Sequence, residues 1–206
     1  MSGTSVVAEI RAAPDDPGMV RLRVGRAWFG PVRREDTDRL GLEEGSRWTR
    51  SAEREVRRLV DIHGCRADAL ARLGRRDHSR ALLAARLATR WGETLATATV
   101  AALADEGWID DGAYAARRAE SLRRTGPMAR ELLQARLENE GLDPRIAARA
   151  SGDREDRAAI RQAVRAWKRS GRDAASIARA LGRRGFDVDT IAQALRAEGL
   201  PCSLDD

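Results

Sequence analysis

The sequence predicts a mainly α fold of stacked helical repeats behind a small β-rich N-terminal extension, and three observations carry that prediction. Apolar and polar side chains alternate with a period of two only over residues 1 to about 50, the pattern of half-buried strands. Beyond them, "RRDHSRALLAARL" (75–87), "TGPMARELLQARLENEGL" (125–142) and "GRDAASIARALGRRGF" (171–186) each run from a turn or cap residue through apolar positions four apart. Only 4% of the 206 residues are aromatic, and alanine supplies much of the 42% hydrophobic content, which favours many modest helices over one thick core.

The strands come first. "VVAEIRA" and "MVRLRV" alternate, "PDDPG" between them supplies turn residues, and "VGRAWF" reads as a tight turn into a further short strand. In "REDTDRLGLEEGSRW" a short helix is expected over 33–40, with Gly41 and Gly45 as stops. The apolar face of these strands is small, so the extension is expected to pack on the helical part of the chain.

From "SAEREVRRLVDIHG" onward the periodicity is helical. Leu70 and Leu73 share one face, Leu83 and Leu87 another, and Val100, Leu103 and Trp108 fall close enough to form one apolar patch. Three helices of about 8 to 14 residues, broken near Gly74 and Gly92, are expected here. Asp110 and Asp111 precede "AYAARRAESLRR", where carboxylates favour a helix N-terminus. Thr125 to Pro127 then breaks the chain and permits a new start, because proline is tolerated in a first turn and not in a helix interior.

The units superpose by spacing. Leu133, Leu137 and Gly141 correspond to Ile177, Leu181 and Gly185, and Leu142 to Phe186. The same frame on the first unit gives Leu83, Leu87 and Trp91, with Gly92 taking the turn one residue later. Leu83, Leu133 and Ile177 are 50 and then 44 positions apart, a period that suits stacked helical repeats better than one closed bundle.

A formal charge of +6 attracts an acidic surface or nucleic acid, although Lys168 is the only lysine, so arginine richness also fits a codon bias. Cys65 and Cys202 lie far apart, as expected for a reducing cytoplasm. His63 and Cys65 in "DIHGC" fall short of the four ligands typical of structural zinc and are read as loop residues. The N-terminus lacks the pattern of a secretory signal, and no run approaches the roughly 20 apolar residues of a membrane span.

Catalytic machinery is not expected. The single lysine follows tryptophan in "RAWKRS" rather than closing a phosphate loop, and neither a G-x-S-x-G elbow nor a paired-histidine zinc helix occurs. Asp110 and Asp111 are adjacent, so they do not face one another on a helix, and capping accounts for them. No metal or cofactor is expected.

What remains is a binding surface. Arg117 and Arg124, seven apart, share a helical face, and Arg123, Arg130 and Arg136 extend it; Arg75, Arg76, Arg183 and Arg184 mark equivalent turns in the outer units. Guanidinium groups fork onto carboxylates or phosphates, so such a ridge serves an acidic protein groove or a DNA backbone equally, unless neighbouring acids neutralise it as a solvated face. Trp108, Tyr114 and Phe186 each end an apolar pattern and are expected in the core.

"RRDHSRALL", "LADEGWIDDGAYA" and the two later copies resemble the RecX family of recombinase regulators. "RDHS" before paired leucines resembles the family's first-repeat opening, Glu106 to Tyr114 its acidic junction between repeats, and "RRTGP" the basic turn before the next one. The resemblance covers about residues 66–199, and "RLRVGRAWF" with "LGLEEG" also resembles the extension found on many members. Trp91 stands where glycine is usual, Arg118 where a second aromatic is usual, and Glu120 where the family tends to be basic.

The resemblance implies three tandem three-helix repeats forming an elongated curved array. It implies a cytoplasmic, non-enzymatic regulator in DNA repair and the SOS response that lodges in the groove of a RecA filament on DNA and inhibits ATP hydrolysis, filament extension and strand exchange. The boundaries expected are 1–50 for the extension, 51–65 for a connecting helix or linker, 66–111, 112–155 and 156–199 for the repeats, and 200–206 for a tail. The partners expected are RecA and DNA, without a membrane, for a chain acting as a monomer. The alternative is a helical-repeat protein that holds DNA phosphates directly.

Overall fold

The computed structural model describes residues 5–14, 16–152 and 156–201, so Cys202 lies outside the described residues. The chain is mainly helical with a small three-stranded N-terminal sheet, and it divides into two units, Met1–Arg76 with Ala84–Leu103, and Asp77–Leu83 with Ala104–Asp206.

In the first unit, β1 (Val7–Ala13), β2 (Asp16–Val24) and β3 (Ala27–Arg33) form an antiparallel sheet in chain order. Its alternation is the expected one: Val7, Val20, Leu22, Val24 and Val32 turn inward and are buried. Pro31, which lacks an N–H for the ladder, lies on edge strand β3 where its pairing with β2 is irregular. The short helix α1 (Arg34–Arg39) follows. The segment after it returns to the sheet, with Val7 donating to the Ser46 carbonyl at 2.9 Å and Gly45 to that of Val7 at 2.8 Å.

The inward sheet face packs on α2 (Arg50–Leu73) through Val56 and Leu59, so the extension does find its cover in the next element. Each such aliphatic side chain contributes roughly 1.5 to 3 kcal/mol on leaving water. Thr49 caps α2, its hydroxyl accepting from the Ala52 amide at 3.1 Å.

Two expectations are corrected here. Helix α2 has 24 residues, longer than the 8 to 14 predicted, and "DIHGC" is helix rather than loop. Gly64 survives in its interior because the Trp91 ring lies where a Cβ would be. His63 Nε2 meets Asp36 Oδ2 at 2.8 Å, while burial pushes the Cys65 thiol up, away from the reactive thiolate.

Helix α3 (Arg80–Trp91) stops at Gly92, whose φ of 79° ends it one residue later than the repeat frame, as predicted, and α4 (Glu93–Asp105) begins. Leu83, Leu87, Val100 and Leu103 are buried, but Trp108 is 58% exposed, contrary to expectation. The reason is that α4 ends at Asp105, so helical spacing no longer applies. Ile109 takes the buried position, and the Trp108 indole donates to Glu106 at 3.2 Å.

In the second unit, α5 (Asp111–Arg124), α6 (Arg130–Asn139) and α7 (Pro144–Ser151) pack on one another, as do α8 (Asp156–Arg169), α9 (Ala174–Gly182) and α10 (Val188–Ala197). Aspartates start four of these helices: Asp110, Asp143, Asp173 and Asp187 each accept an amide of the first turn. Leu133, Leu137, Ile177 and Leu181 are fully buried, and Phe186 joins the core of the second trio as predicted.

Candidate functional site

The arginines of the second unit are placed by two junctions of the same design. Helix α6 ends with Gly141 donating to the Glu138 carbonyl at 2.8 Å and Leu142 to that of Leu137 at 3.3 Å; α9 ends with Gly185 donating to Gly182 at 2.9 Å and Phe186 to Leu181 at 3.3 Å. Both glycines are left-handed, with φ of 80° and 86°, which the helix stop requires. Both are also tightly approached: a Cβ at Gly141 would collide with that of Ala81, and one at Gly185 would lie 2.8 Å from Leu132 Cβ. The carbonyl before each glycine then accepts from the start of another helix, Glu140 from the Ser79 hydroxyl at 3.1 Å and Arg184 from the Ala129 amide at 2.9 Å.

Charged side chains brace these junctions. Glu140 accepts from Tyr114 Oη at 3.0 Å and meets Arg118 Nη2 at 2.7 Å, and its hydrogen bond raises the Arg118 guanidinium above its ordinary pKa. Tyr114 is therefore only half-buried, with its hydroxyl in use, rather than wholly in the core. Asp111 accepts from the Arg80 amide at 2.9 Å and Asp77 pairs with Arg117 at 2.7 Å, so "DHS" and "IDDGAY" are held together by their acids.

The predicted arginines separate into two kinds. Arg184 donates to the Thr125 carbonyl at 2.6 Å and the Pro127 carbonyl at 3.1 Å, and Gly126 leaves it room, since a Cβ there would lie 2.8 Å from Nη1. Arg123 donates to the Ser151 carbonyl. These two are half-buried and brace the second unit through main-chain carbonyls, so each offers a partner only part of its guanidinium. Arg117, Arg124, Arg130, Arg136 and Arg183 are exposed, as are Arg75 and Arg76 in the first unit. Arg124 also pairs with Glu120 at 3.0 Å, an exposed contact worth a few tenths of a kcal/mol, which a partner's carboxylate or phosphate displaces readily.

Sequence reading missed Arg145 and Arg149. With Arg123 they line a groove of about 660 Å³ between α5 and α7, and their spacing of four on one helix was the available signal. A second cleft, of about 400 Å³, runs from Arg123 and Arg124 across the turn at Gly126 to Trp167 on α8. Among the described residues no three of His, Cys, Asp and Glu gather as metal ligands, and no helix is long and apolar enough to cross a membrane.

The arrangement defines a class of protein: a helical scaffold with a strand-rich N-terminal part, whose basic groups lie on open faces and shallow grooves. No family model matches the chain. Over 72 residues it is 47% identical to the regulatory protein RecX of Thermus thermophilus, a match covering 34% of this chain and 51% of that protein, so the chain spans about half the length of the curated relative it matches. A crystal structure of regulatory protein RecX superposes with a TM-score of 0.67 over 97% of this chain and 96% of the other, at 15% identity. RecX from Lactobacillus salivarius superposes with a TM-score of 0.55 over 66% and 96%, at 20% identity. The chain is thus similar to regulatory protein RecX in sequence over those 72 residues and in fold along nearly its whole length.

Proposed function

We propose that this chain is a non-enzymatic regulator of homologous recombination that binds the groove of a RecA filament on DNA and inhibits RecA ATP hydrolysis, filament extension and strand exchange. The observation that carries the reading is the 47% identity over 72 residues to a protein named as regulatory, supported by the likeness of fold along nearly the whole chain. In this reading the chain works in the cytoplasm as a monomer, without cofactor or metal. Its helices form three tandem three-helix repeats over about 66–111, 112–155 and 156–199. The matching glycine junctions after α6 and α9 support the repeat. The partner contacts fall to Arg75, Arg76, Arg117, Arg124, Arg130, Arg136 and Arg183, the exposed members of the predicted set. By bridging neighbouring recombinase protomers, a scaffold so held prevents them from completing their ATPase cycle.

A second reading, direct binding of DNA phosphates by the helical units, is favoured by the groove of Arg123, Arg145 and Arg149. The two separate in one titration: RecA ATP hydrolysis on single-stranded DNA at fixed salt, with increasing amounts of this protein. Inhibition well below one copy per protomer supports filament binding. Absence of inhibition, or inhibition only at concentrations that coat the DNA, overturns it in favour of a nucleic-acid-binding module.

A further inference from the structure

The outward face of the N-terminal sheet has a composition that the filament reading does not use. Cross-strand pairing sets Glu9 opposite Arg23 and Arg11 opposite Arg21 on β1 and β2, and Arg23 opposite Trp28 on β2 and β3. On β2 the alternate residues Val20, Leu22 and Val24 are buried, and Ile10 and Phe29 on the flanking strands are partly buried against the same core, so these five side chains share the opposite, solvent side of the sheet. One carboxylate among them meets two guanidiniums, and a third lies opposite Arg11 in the register. Glu9 meets Arg11 at 2.5 Å and Arg23 at 2.9 Å, and Arg21 is exposed beside them. Trp28 is 44% exposed, and the Arg11 guanidinium lies over its ring at 5.6 Å from the centroid.

Trp28 is the only aromatic side chain among the five, and the guanidiniums of Arg11, Arg21 and Arg23 outnumber the one carboxylate beside them. Together they fit a ligand that offers flat apolar surfaces and negative charge at regular intervals. Arg21 and Arg23, two residues apart on one strand, are separated by about 6.7 Å, a distance on the scale of the phosphate repeat of an extended single strand. A duplex hides its base faces, so the indole has nothing to stack on there. An acidic peptide supplies charge without the planar partner.

We infer that this face is a binding platform for single-stranded DNA, with an unpaired base stacked on Trp28 and phosphates held by Arg11, Arg21 and Arg23. The choice of DNA over RNA rests on the proposed function. On binding, the base takes the place of the Arg11 guanidinium on the ring, and that guanidinium turns from Glu9 to a phosphate. No pocket is required, because stacking is tolerant of sequence.

The test is fluorescence anisotropy of labelled dT20, rU20 and a matched 20-base-pair duplex with the full chain at low salt. Trp28→Ala weakens dT20 binding about tenfold, the scale of one stacked base, while Trp28→Phe retains most of it. Arg21→Ala lowers the slope of log affinity against log salt by about 0.7, as expected for one phosphate contact on a single strand. Thermal melting of each variant reports the fold, and Arg21→Glu, an exposed charge reversal, serves if Trp28→Ala melts early. Unchanged dT20 affinity in both Trp28→Ala and Arg21→Glu overturns the platform. Tighter binding of rU20 than of dT20, lost on Trp28→Ala, overturns the assignment to DNA. The filament reading stands or falls separately, on RecA ATPase inhibition by the wild-type chain.

Discussion

The trios α5–α7 and α8–α10 end their middle helices with the same backbone path and brace it with opposite charges. Before Gly141 stands Glu140, an acceptor for Tyr114 and Arg118; before Gly185 stands Arg184, a donor to the carbonyls of Thr125 and Pro127. In both, the carbonyl of that residue accepts from the start of another helix. What recurs is main-chain geometry and the buried leucine-type positions, while the side chains around them have diverged. Any survey of this chain by charge alone would pair the wrong residues.

The largest expected effect tests the shared part. Leu137→Ala and Leu181→Ala each remove a fully buried side chain and are expected to destabilise by about 2 to 5 kcal/mol, checked by urea unfolding. A near-zero effect in either would break the equivalence of the two positions.

A smaller difference sharpens the divergent part. Arg184→Ala removes two charge-assisted hydrogen bonds to main-chain carbonyls and is expected to cost about 1 to 2 kcal/mol. Glu140→Gln keeps the shape and part of the bonding to Tyr114 and Arg118, so the loss there is expected to stay below about 1 kcal/mol. Melting curves of both variants under one condition show which junction depends more on its side chain.

The smallest effect is set by pH. The Thr190 hydroxyl, and then its amide, hold the Asp187 carboxyl below its ordinary value of 3.8. A lowered folded-state pKa contributes stability that is present above 3.8 and lost as pH falls through the lowered value. Asp187→Asn, which caps without titrating, is therefore expected to flatten the acid limb of the melting-temperature profile slightly. An unaltered acid limb would show that titration of Asp187 adds nothing measurable to the stability of this trio.

Much of this architecture was legible in the sequence because the signals are local. Period-two alternation gave the three strands, four-residue leucine spacing gave the buried positions, and aspartates with trailing glycines gave helix starts and stops. The misses were tertiary. Helix α2 runs through Gly64 because a tryptophan 27 positions later occupies the space over it, a contact no local window contains. Trp108 followed an apolar pattern into an assignment that the end of α4 had already cancelled.

The arginine face was legible only in part. Arg123 and Arg184 were indistinguishable from their exposed neighbours because their partners are backbone carbonyls, which leave no mark on a sequence. Arg145 and Arg149 were visible as a spacing of four, yet their groove forms only once α7 lies against α5.

The hydrogen bond from the Ala129 amide to the Arg184 carbonyl joins two atoms that nearly every amino acid carries. A coupling of that kind is indifferent to most substitutions at either end, so residues around it are free to drift toward new partners while the join persists. It also offers an added copy of the unit a ready attachment. Growth of such a chain by duplication would need a glycine at the right place and the buried aliphatic positions that precede it.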